Sequence, residues 1–315
     1  MGIVVFGATF VDIKGYPLTQ YVEAGRNVGR VMQVHGGVAR NVAEDIANVE
    51  LRPTFVSVVD DNGTGTDVVD KLKRHMINTK YIRRIPGGLG TWLAVFNNQG
   101  DVVASISQRP DLSEIRNVLA EQGNEIISNA DSIVVEIDME SDILKTIFEL
   151  AAKYGKDVYA VVSNMSIAME RRDLLTKTAC VVCNKQEAGL LYSEDYDQFT
   201  PEQMVEVLKT KVKTTHVKKM VVTLGDEGAV FATADGESGI CKPRRVNVID
   251  TTGAGDSFFA GVAIGLTYGK NLMESCEIGT RLAASVIATK ENVCPRFLPE
   301  EFGLDVNIPD LEQNA

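Results

Sequence analysis

The 315 residues specify an α/β protein: a mostly parallel central sheet with helices on both faces, and a small β-sheet lid. Two observations predict this class. Short runs rich in Val, Ile and Phe alternate with segments of helical period along most of the chain, the pattern of repeated βα units. Two stretches break it. Residues 90–107 alternate apolar and polar side chains around Asn97-Asn98-Gln99-Gly100, which reads as a β-hairpin, and residues 13–33 also lack helical period. Separated by one βα unit, the two stretches are expected to pair as a sheet covering a site. The division that follows is a core of 1–11, 36–84 and 111–315 and a lid of 12–35 and 85–110.

The elements follow in order. Residues 3–6, Ile-Val-Val-Phe, form a buried first strand ended by Gly7, and Asp12 comes soon after, near the carboxyl end where such sheets gather ligands. A helix over 41–49, a strand over 54–59 and a helix over 63–75 precede the hairpin. After Asp111 come helix 113–128, strand 132–136, helix 141–154, strand 158–162, a helix near 171–176 and strand 179–183. Helix 201–213, strand 220–223, a hairpin partner at 229–233, helix 254–268 and an alanine-rich helix 273–289 complete the series. The polar, acidic tail after Pro299 is expected to pack loosely or fray.

Thirty-two basic against 43 acidic residues give a net charge of −11, and no basic run exceeds two residues. That excludes a nucleic-acid or anionic-membrane surface. No apolar run reaches the length of a membrane span, and the start shows no signal-peptide layout. Five scattered cysteines argue against a disulfide framework and for a reducing cytoplasm. Cys180 and Cys183 lie three apart in a β-branched run, so they point to opposite sheet faces and cannot share a metal. The three histidines have no ligand spacing; His35, beside the glycine pair, is the one that could face a ligand, with a solvated edge the preferred reading.

Residues 250–256, Asp-Thr-Thr-Gly-Ala-Gly-Asp, followed by a small apolar run, are the most informative segment. A helix opening on Gly253, Ala254 and Gly255 offers unpaired N–H groups and a positive dipole end to an anion. Asp250 already stands at the capping distance, so Asp256 inside the cradle reads as a reactive base. The chemistry indicated is phosphoryl transfer to a hydroxyl, in which the enzyme positions reactants and spreads charge. The competing reading is a capped helix start with a small-residue packing face at Ala254, Ala260 and Gly261.

Upstream, His35-Gly36-Gly37-Val38-Ala39-Arg40-Asn41 places a glycine pair where a sugar can approach the backbone and an amide, Asn41, where hydroxyls need a donor and an acceptor. Asn184 and Glu187 follow a buried strand and lie one turn apart, able to share the water shell of Mg²⁺; the same spacing is also a plain capping box. Residues 225–228, Gly-Asp-Glu-Gly, form a tight turn beside Thr223, open both to a nucleotide role and to that of an ordinary hairpin.

Together these segments resemble, over essentially the whole chain, the ribokinase-like (PfkB) carbohydrate kinase family, whose C-terminal signature matches residues 250–263 position by position. The resemblance implies the ribokinase-like three-layer fold and ATP-dependent phosphorylation of a sugar or nucleoside. In that reading Gly253, Ala254, Gly255 and Asp256 are catalytic, and Asp12, Gly36, Gly37 and Asn41 bind substrate. Asn184, Glu187, Thr223, Gly225, Gly228, Ala284 and Asn292 serve the nucleotide, with Glu187 meeting Mg²⁺ through water and Asp250 and Thr252 a monovalent cation such as K⁺. Positions such as Ala284 serve equally as core packing. A homodimer through the lid also follows from the resemblance.

Segments at 11–16, 36–44, 171–175 and 291–293 resemble the pseudouridine kinases within this family, implying transfer to a ribose 5′-hydroxyl. The alternatives are a ribose or ketohexose kinase and, from another class, a catalytically idle nucleoside- or ATP-binding protein. A dinucleotide-binding dehydrogenase is disfavoured, since Gly7-Ala8-Thr9-Phe10 carries no G-x-G-x-x-G. Three positions depart from the family pattern: Phe10 where a polar Asn is common, Glu50 in place of a helix-ending Gly, and Ser163-Asn164 in place of Asp-Pro.

Overall fold

A computed structural model of the chain describes residues 2–162 and 164–306. The elements in order are β1 (Ile3–Phe6), β2 (Phe10–Pro17), β3 (Gly29–Gly36), α1 (Val38–Asn48), β4 (Thr54–Val59), α2 (Gly63–Arg74), β5 (Ile82–Arg84), β6 (Gly90–Phe96) and β7 (Val102–Gln108). They continue with α3 (Glu114–Ser128), β8 (Ser132–Glu136), α4 (Ser141–Tyr154), β9 (Val158–Val161), α5 (Met165–Glu170), α6 (Arg172–Leu175), β10 (Cys180–Asn184) and α7 (Lys185–Tyr192). The last are α8 (Pro201–Thr215), β11 (Lys219–Thr223), β12 (Ala229–Thr233), β13 (Ser238–Cys241), α9 (Ala254–Thr267) and α10 (Leu272–Ile287).

The large sheet has nine strands in the order β13-β12-β11-β10-β9-β8-β1-β4-β5, antiparallel only where β12 meets β11 and β13. Its inner strands are covered on both faces and are therefore mostly apolar. Alternate residues serve the two cores. Val4 and Phe6 pack with Ile115, Leu144 and Leu208 on one side, and Ile3 and Val5 pack with Ile46, Leu72 and Ile264 on the other. Cys180 and Cys183 fall into different cores, as their spacing requires, and all five cysteines are free.

The two non-helical stretches form a four-stranded sheet, β3-β2-β6-β7, in which β2 runs parallel to β6 and antiparallel to β3. The chain passes between the two sheets four times, through residues 7–9, 37, 85–89 and 109–113.

Several elements differ from the sequence expectation. β5 and β13 are short edge strands with little apolar signal, and residues 165–175 form two short helices rather than one. The tail does not begin to fray at Pro299. Pro299 and Leu304 are buried, and the Arg281 guanidinium lies 4.9 and 4.8 Å from the edge-packed rings of Phe297 and Phe302; residues 307–315 lie outside the described part. Ser163 lies outside it too, and Asn164 caps α5 by accepting from Ser166 N at 3.0 Å. Glu50 ends α1 with φ of 60°, the left-handed conformation that normally selects glycine.

Candidate active site

The order of the large sheet reverses between β1 and β8, so a crevice opens at their carboxyl ends, where ligands bind in open α/β sheets. α1 and α9 both begin there. α9 reaches it through close packing on α10, where a Cβ on Gly261 would stand 2.5 Å from Gly279 Cα, so the small-residue face expected from the sequence exists alongside the anion cradle.

Gly253 caps α9 with φ of 82° and no side-chain hydrogen bond. A Cβ there would collide with Asn292 O at 2.0 Å, so this glycine is required by the loop after α10 rather than by an approaching anion. At Gly255, by contrast, a Cβ would meet nothing within 4 Å. Ala254 N donates to Thr251 O at 3.2 Å, while among the described residues the N–H groups of Gly253, Gly255 and Asp256 donate to no backbone acceptor. The open donors are thus Gly253, Gly255 and Asp256, with Ala254 committed to its own turn. Asp250 Oδ1 accepts from Thr252 N at 2.9 Å and shapes the loop before the helix.

Asp256 sits half-buried at the mouth of this helix. Its Oδ2 accepts from Asn41 Nδ2 at 2.7 Å. Burial pushes the Asp256 carboxyl up to about 6, against the downward pull of the Asn41 hydrogen bond and the Arg40 charge. Asn41 Oδ1 in turn accepts from Arg40 Nη1 at 2.8 Å and from Asn292 Nδ2 at 3.3 Å. Asn41 therefore spends its amide on the base and its neighbours. Asn292, expected at the nucleotide, is buried and donates also to His35 O at 3.0 Å, because the loop after α10 turns inward under Gly253.

Sequence reasoning missed three buried polar groups beneath the site. Arg40, fully buried, donates to His35 O at 3.1 Å and pairs with Glu44; burial lowers its guanidinium to about 10, and Asp45, Asp12 and Asp256 act to keep it charged. Asp45 accepts from Cys294 N at 2.6 Å and Ser257 Oγ at 2.7 Å, and burial lifts its carboxyl to about 7. Glu136, at the end of β8, accepts from Ala8 N at 2.9 Å. The i, i+4 spacing of Arg40 and Glu44 was the available signal, but it is read by default as a solvated pair.

Asp12 lies on β2 opposite Val34, and its carboxylate rests on Gly36, where a Cβ would stand 2.8 Å from Oδ2. Gly37 has φ of 101°, and a Cβ there would press on Ala8 O at 2.9 Å. His35 is not at a solvated edge: it is half-buried and its Nε2 lies 3.0 Å from Asp67. Phe10 lies against Gly90, filling the wall where a polar residue is common.

Beyond Gly255 a cleft of about 730 Å³ is walled by Thr223, Gly225, Gly228, Phe258, Ala284 and Ile287, with Arg244 and Arg245 at one side. Four of these, Thr223, Gly225, Gly228 and Ala284, are residues singled out from the sequence. Its size and apolar wall suit a mononucleotide, and its open end at Gly255 suits phosphates. Asn184 lies beside Thr223 in register and forms a capping box with Glu187, each side chain accepting from the other's backbone N–H at 2.8 Å. Burial raises the Glu187 carboxyl above its ordinary value, partly offset by the Asn184 N–H.

An open helix N-terminus, a carboxylate of raised pKa and a cleft of about 730 Å³ meet at the carboxyl ends of the parallel strands, the parts a phosphotransferase needs. The model of the pfkB family carbohydrate kinases matches residues 2–295, and the chain belongs to that family. It is 32% identical over 292 residues to guanosine-inosine kinase of Exiguobacterium acetylicum, covering 92% of this chain and 95% of that one. Pseudouridine kinase of Escherichia coli is 24% identical over 262 residues, covering 83% and 82%. Among solved structures, Arabidopsis thaliana ribokinase complexed with ribose and ATP superposes with a TM-score of 0.83 at 20% identity, covering 95% of this chain and 97% of that one. The fold is ribokinase-like, and the protein is an ATP-dependent kinase of sugar or nucleoside hydroxyls. Among the described residues no helix is long and apolar enough to cross a membrane.

Proposed function

We propose that this kinase phosphorylates the ribose 5′-hydroxyl of a purine nucleoside of the guanosine or inosine kind. The higher identity to guanosine-inosine kinase supports this acceptor over pseudouridine, whose kinase is the more distant relative, and pseudouridine stands as the alternative. The observation that carries the reading is the Asn41–Asp256 contact, which joins the sugar side of the crevice, Asp12, Gly36 and Gly37, to the phosphate side at Gly255.

In this mechanism Asp12 and the backbone at Gly36 and Gly37 grip the ribose diol and aim its primary hydroxyl at Asp256. Ionised Asp256 accepts that proton as the hydroxyl oxygen bonds to the γ-phosphorus and the bond from that phosphorus to the β,γ-bridging oxygen breaks, releasing ADP, while the open amides take up the charge of the transferred group. Thr223, Gly225, Gly228 and Ala284 hold the nucleotide. Glu187 would meet the water shell of a Mg²⁺ carried by ATP, whose charge would help neutralise the phosphates. Asp250 and Thr252 would hold a monovalent cation, whose charge would add to the positive field at the helix end.

The small sheet closes over the acceptor as a lid. Its exposed Val31, Ile106, Leu18 and Val28 are 67–71% accessible and suit pairing of two copies through this sheet. The five unpaired cysteines fit a cytoplasmic setting.

An ATP-consumption panel of guanosine, inosine, pseudouridine, uridine, adenosine, ribose and fructose tests the acceptor. Guanosine and inosine should exceed the others in kcat/KM by about tenfold or more, the scale set by partnered polar groups in a site. A preference for free ribose or fructose would overturn the nucleoside reading.

A further inference from the structure

A second cavity of about 710 Å³ lies behind the site, between α1, the end of α2 and the loop after α10, and shares no lining residue with the nucleotide cleft. In a chain of net charge −11 it gathers Arg52, Lys71, Arg74 and Arg296 against Glu44, Glu50 and Glu291. Two of these carboxylates are already matched, Glu50 by Arg296 at 2.6 Å and Glu44 by Arg40 behind the wall. Lys71 shares Glu44 with Arg40, its Nζ standing 3.2 Å from Oε1, so Arg40 and Lys71 together outnumber that carboxylate, and Arg74 lines the void beside the half-buried His75.

His75 shows what the cavity lacks. Its Nδ1 lies 2.7 Å from Asn48 Oδ1, and the Asn48 amide nitrogen is committed to Cys294 O at 2.6 Å, so the oxygen faces the ring. Its Nε2 lies 3.4 Å from Glu44 Oε1, which also meets Lys71 Nζ at 3.2 Å. Nδ1 thus hydrogen-bonds an acceptor, while Nε2 stands within ion-pair reach of a buried carboxylate oxygen that has no hydrogen-bond partner, a setting that favours a protonated imidazole. Burial and the charges of Lys71, Arg40 and Arg74 oppose that proton and hold the ring below its ordinary value. The charged groups around the ring are Glu44 and Arg40 from α1, Lys71 and Arg74 from α2, and Glu291 from the loop.

We infer that this cavity is a binding site for a small phosphorylated molecule, whose dianionic phosphate rests on Lys71 and Arg74 and whose binding draws a proton onto His75. The phosphate supplies the charge that the crowded cations need, and the volume leaves room for the organic part. Glu44 and Arg40 connect this wall to Asn41, and Asn292, on the opposite wall's loop, bonds Asn41 from the other side.

The test follows the His75 imidazole by NMR in the full chain, saturated with a non-hydrolysable ATP analogue so that the α9 amides are filled. Sulfate, a dianion that does not titrate, is compared with sodium chloride at equal ionic strength. Saturating sulfate should raise the His75 pKa by about one unit, a ~10-fold gain in proton affinity. Arg74→Gln and Lys71→Gln should each abolish most of that rise; Arg74 is exposed, so its variant keeps the fold. Ribose 5-phosphate, which fills more of the cavity, should reach half-saturation at about a tenth of the sulfate concentration or less. An identical His75 titration in sulfate and chloride, a sulfate response that survives Arg74→Gln, or ribose 5-phosphate no tighter than sulfate would each overturn the assignment. ATP-analogue binding is read in the same sample, so a failed kinase reading is told apart from an unoccupied cavity.

Discussion

Asn41 Nδ2 donates to Asp256 Oδ2 across 2.7 Å, bridging the starts of α1 and α9 although 215 residues separate them in sequence. The bond favours the ionised carboxylate, the form a base needs. Asn41→Leu removes it and raises the Asp256 pKa above its present value near 6. The acidic limb of the kcat/KM profile should move to higher pH by about one unit. The variant also strands the donors of Arg40 and Asn292, at a stability cost of about 1–3 kcal/mol in denaturant titration. An unmoved acidic limb would detach Asn41 from the base.

Asp256→Asn should lower kcat by about 10²–10⁴ while leaving affinity for a non-hydrolysable ATP analogue nearly unchanged. In the unaltered protein, activity should fall as pH drops through about 6, where Asp256 takes up its proton. Near-normal turnover in the variant would remove the base from the mechanism.

The two glycines of the α9 start should separate by substitution. Gly253→Ala places a Cβ 2.0 Å from Asn292 O at φ of 82°, and should cost about 1–3 kcal/mol or more of folding stability. Gly255→Ala projects into open space, so its denaturation midpoint should hold within about 0.5 kcal/mol while kcat falls, because the methyl stands among the open amides. Equal stability losses in the two variants would contradict this division.

Asp45 ties stability to pH. Its carboxyl is raised from 3.8 to about 7 in the folded chain, so the folded state binds more protons than the unfolded one between those values. Its contribution is whole below pH 3.8 and is lost as pH rises through 7; Asp256, raised to about 6, acts with the same sign. Urea midpoints should therefore decline from pH 5 to pH 8, and Asp45→Asn should flatten that decline. A variant with the same slope would place the linked proton elsewhere.

The large sheet was legible because a strand covered on both faces is apolar at most positions, as Ile3–Phe6 is throughout and Thr54–Val59 is but for Thr54 and Ser57, whose hydroxyls are hydrogen-bonded. The hairpin was legible through its turn chemistry at residues 97–100. β5, Ile-Arg-Arg, and β13, Ser-Gly-Ile-Cys, were not, since edge strands are fixed by their neighbour's ladder rather than by their own composition. At the candidate site, local motifs singled out Asp256, the glycines and Thr223, Gly225 and Gly228, the last three of which line the cleft. What escaped was long-range. Asn292 reaches Asn41 over 251 positions and Asp45 reaches Ser257 over 212, and burial of Arg40, Glu44 and Asp45 on one helix contradicts the default that charges face water.

The four chain passages between the sheets are short, and they bear on how the smaller one can travel. A panel stitched to its frame at four seams, at residues 7–9, 37, 85–89 and 109–113, can rock but cannot slide away or be shed by one broken peptide. Its far rim, the turns at 18–28 and 97–101, carries no seam. A protease nick at 18–28 should leave the two fragments comigrating on a native gel, and added residues should be absorbed along that rim while the seams admit none.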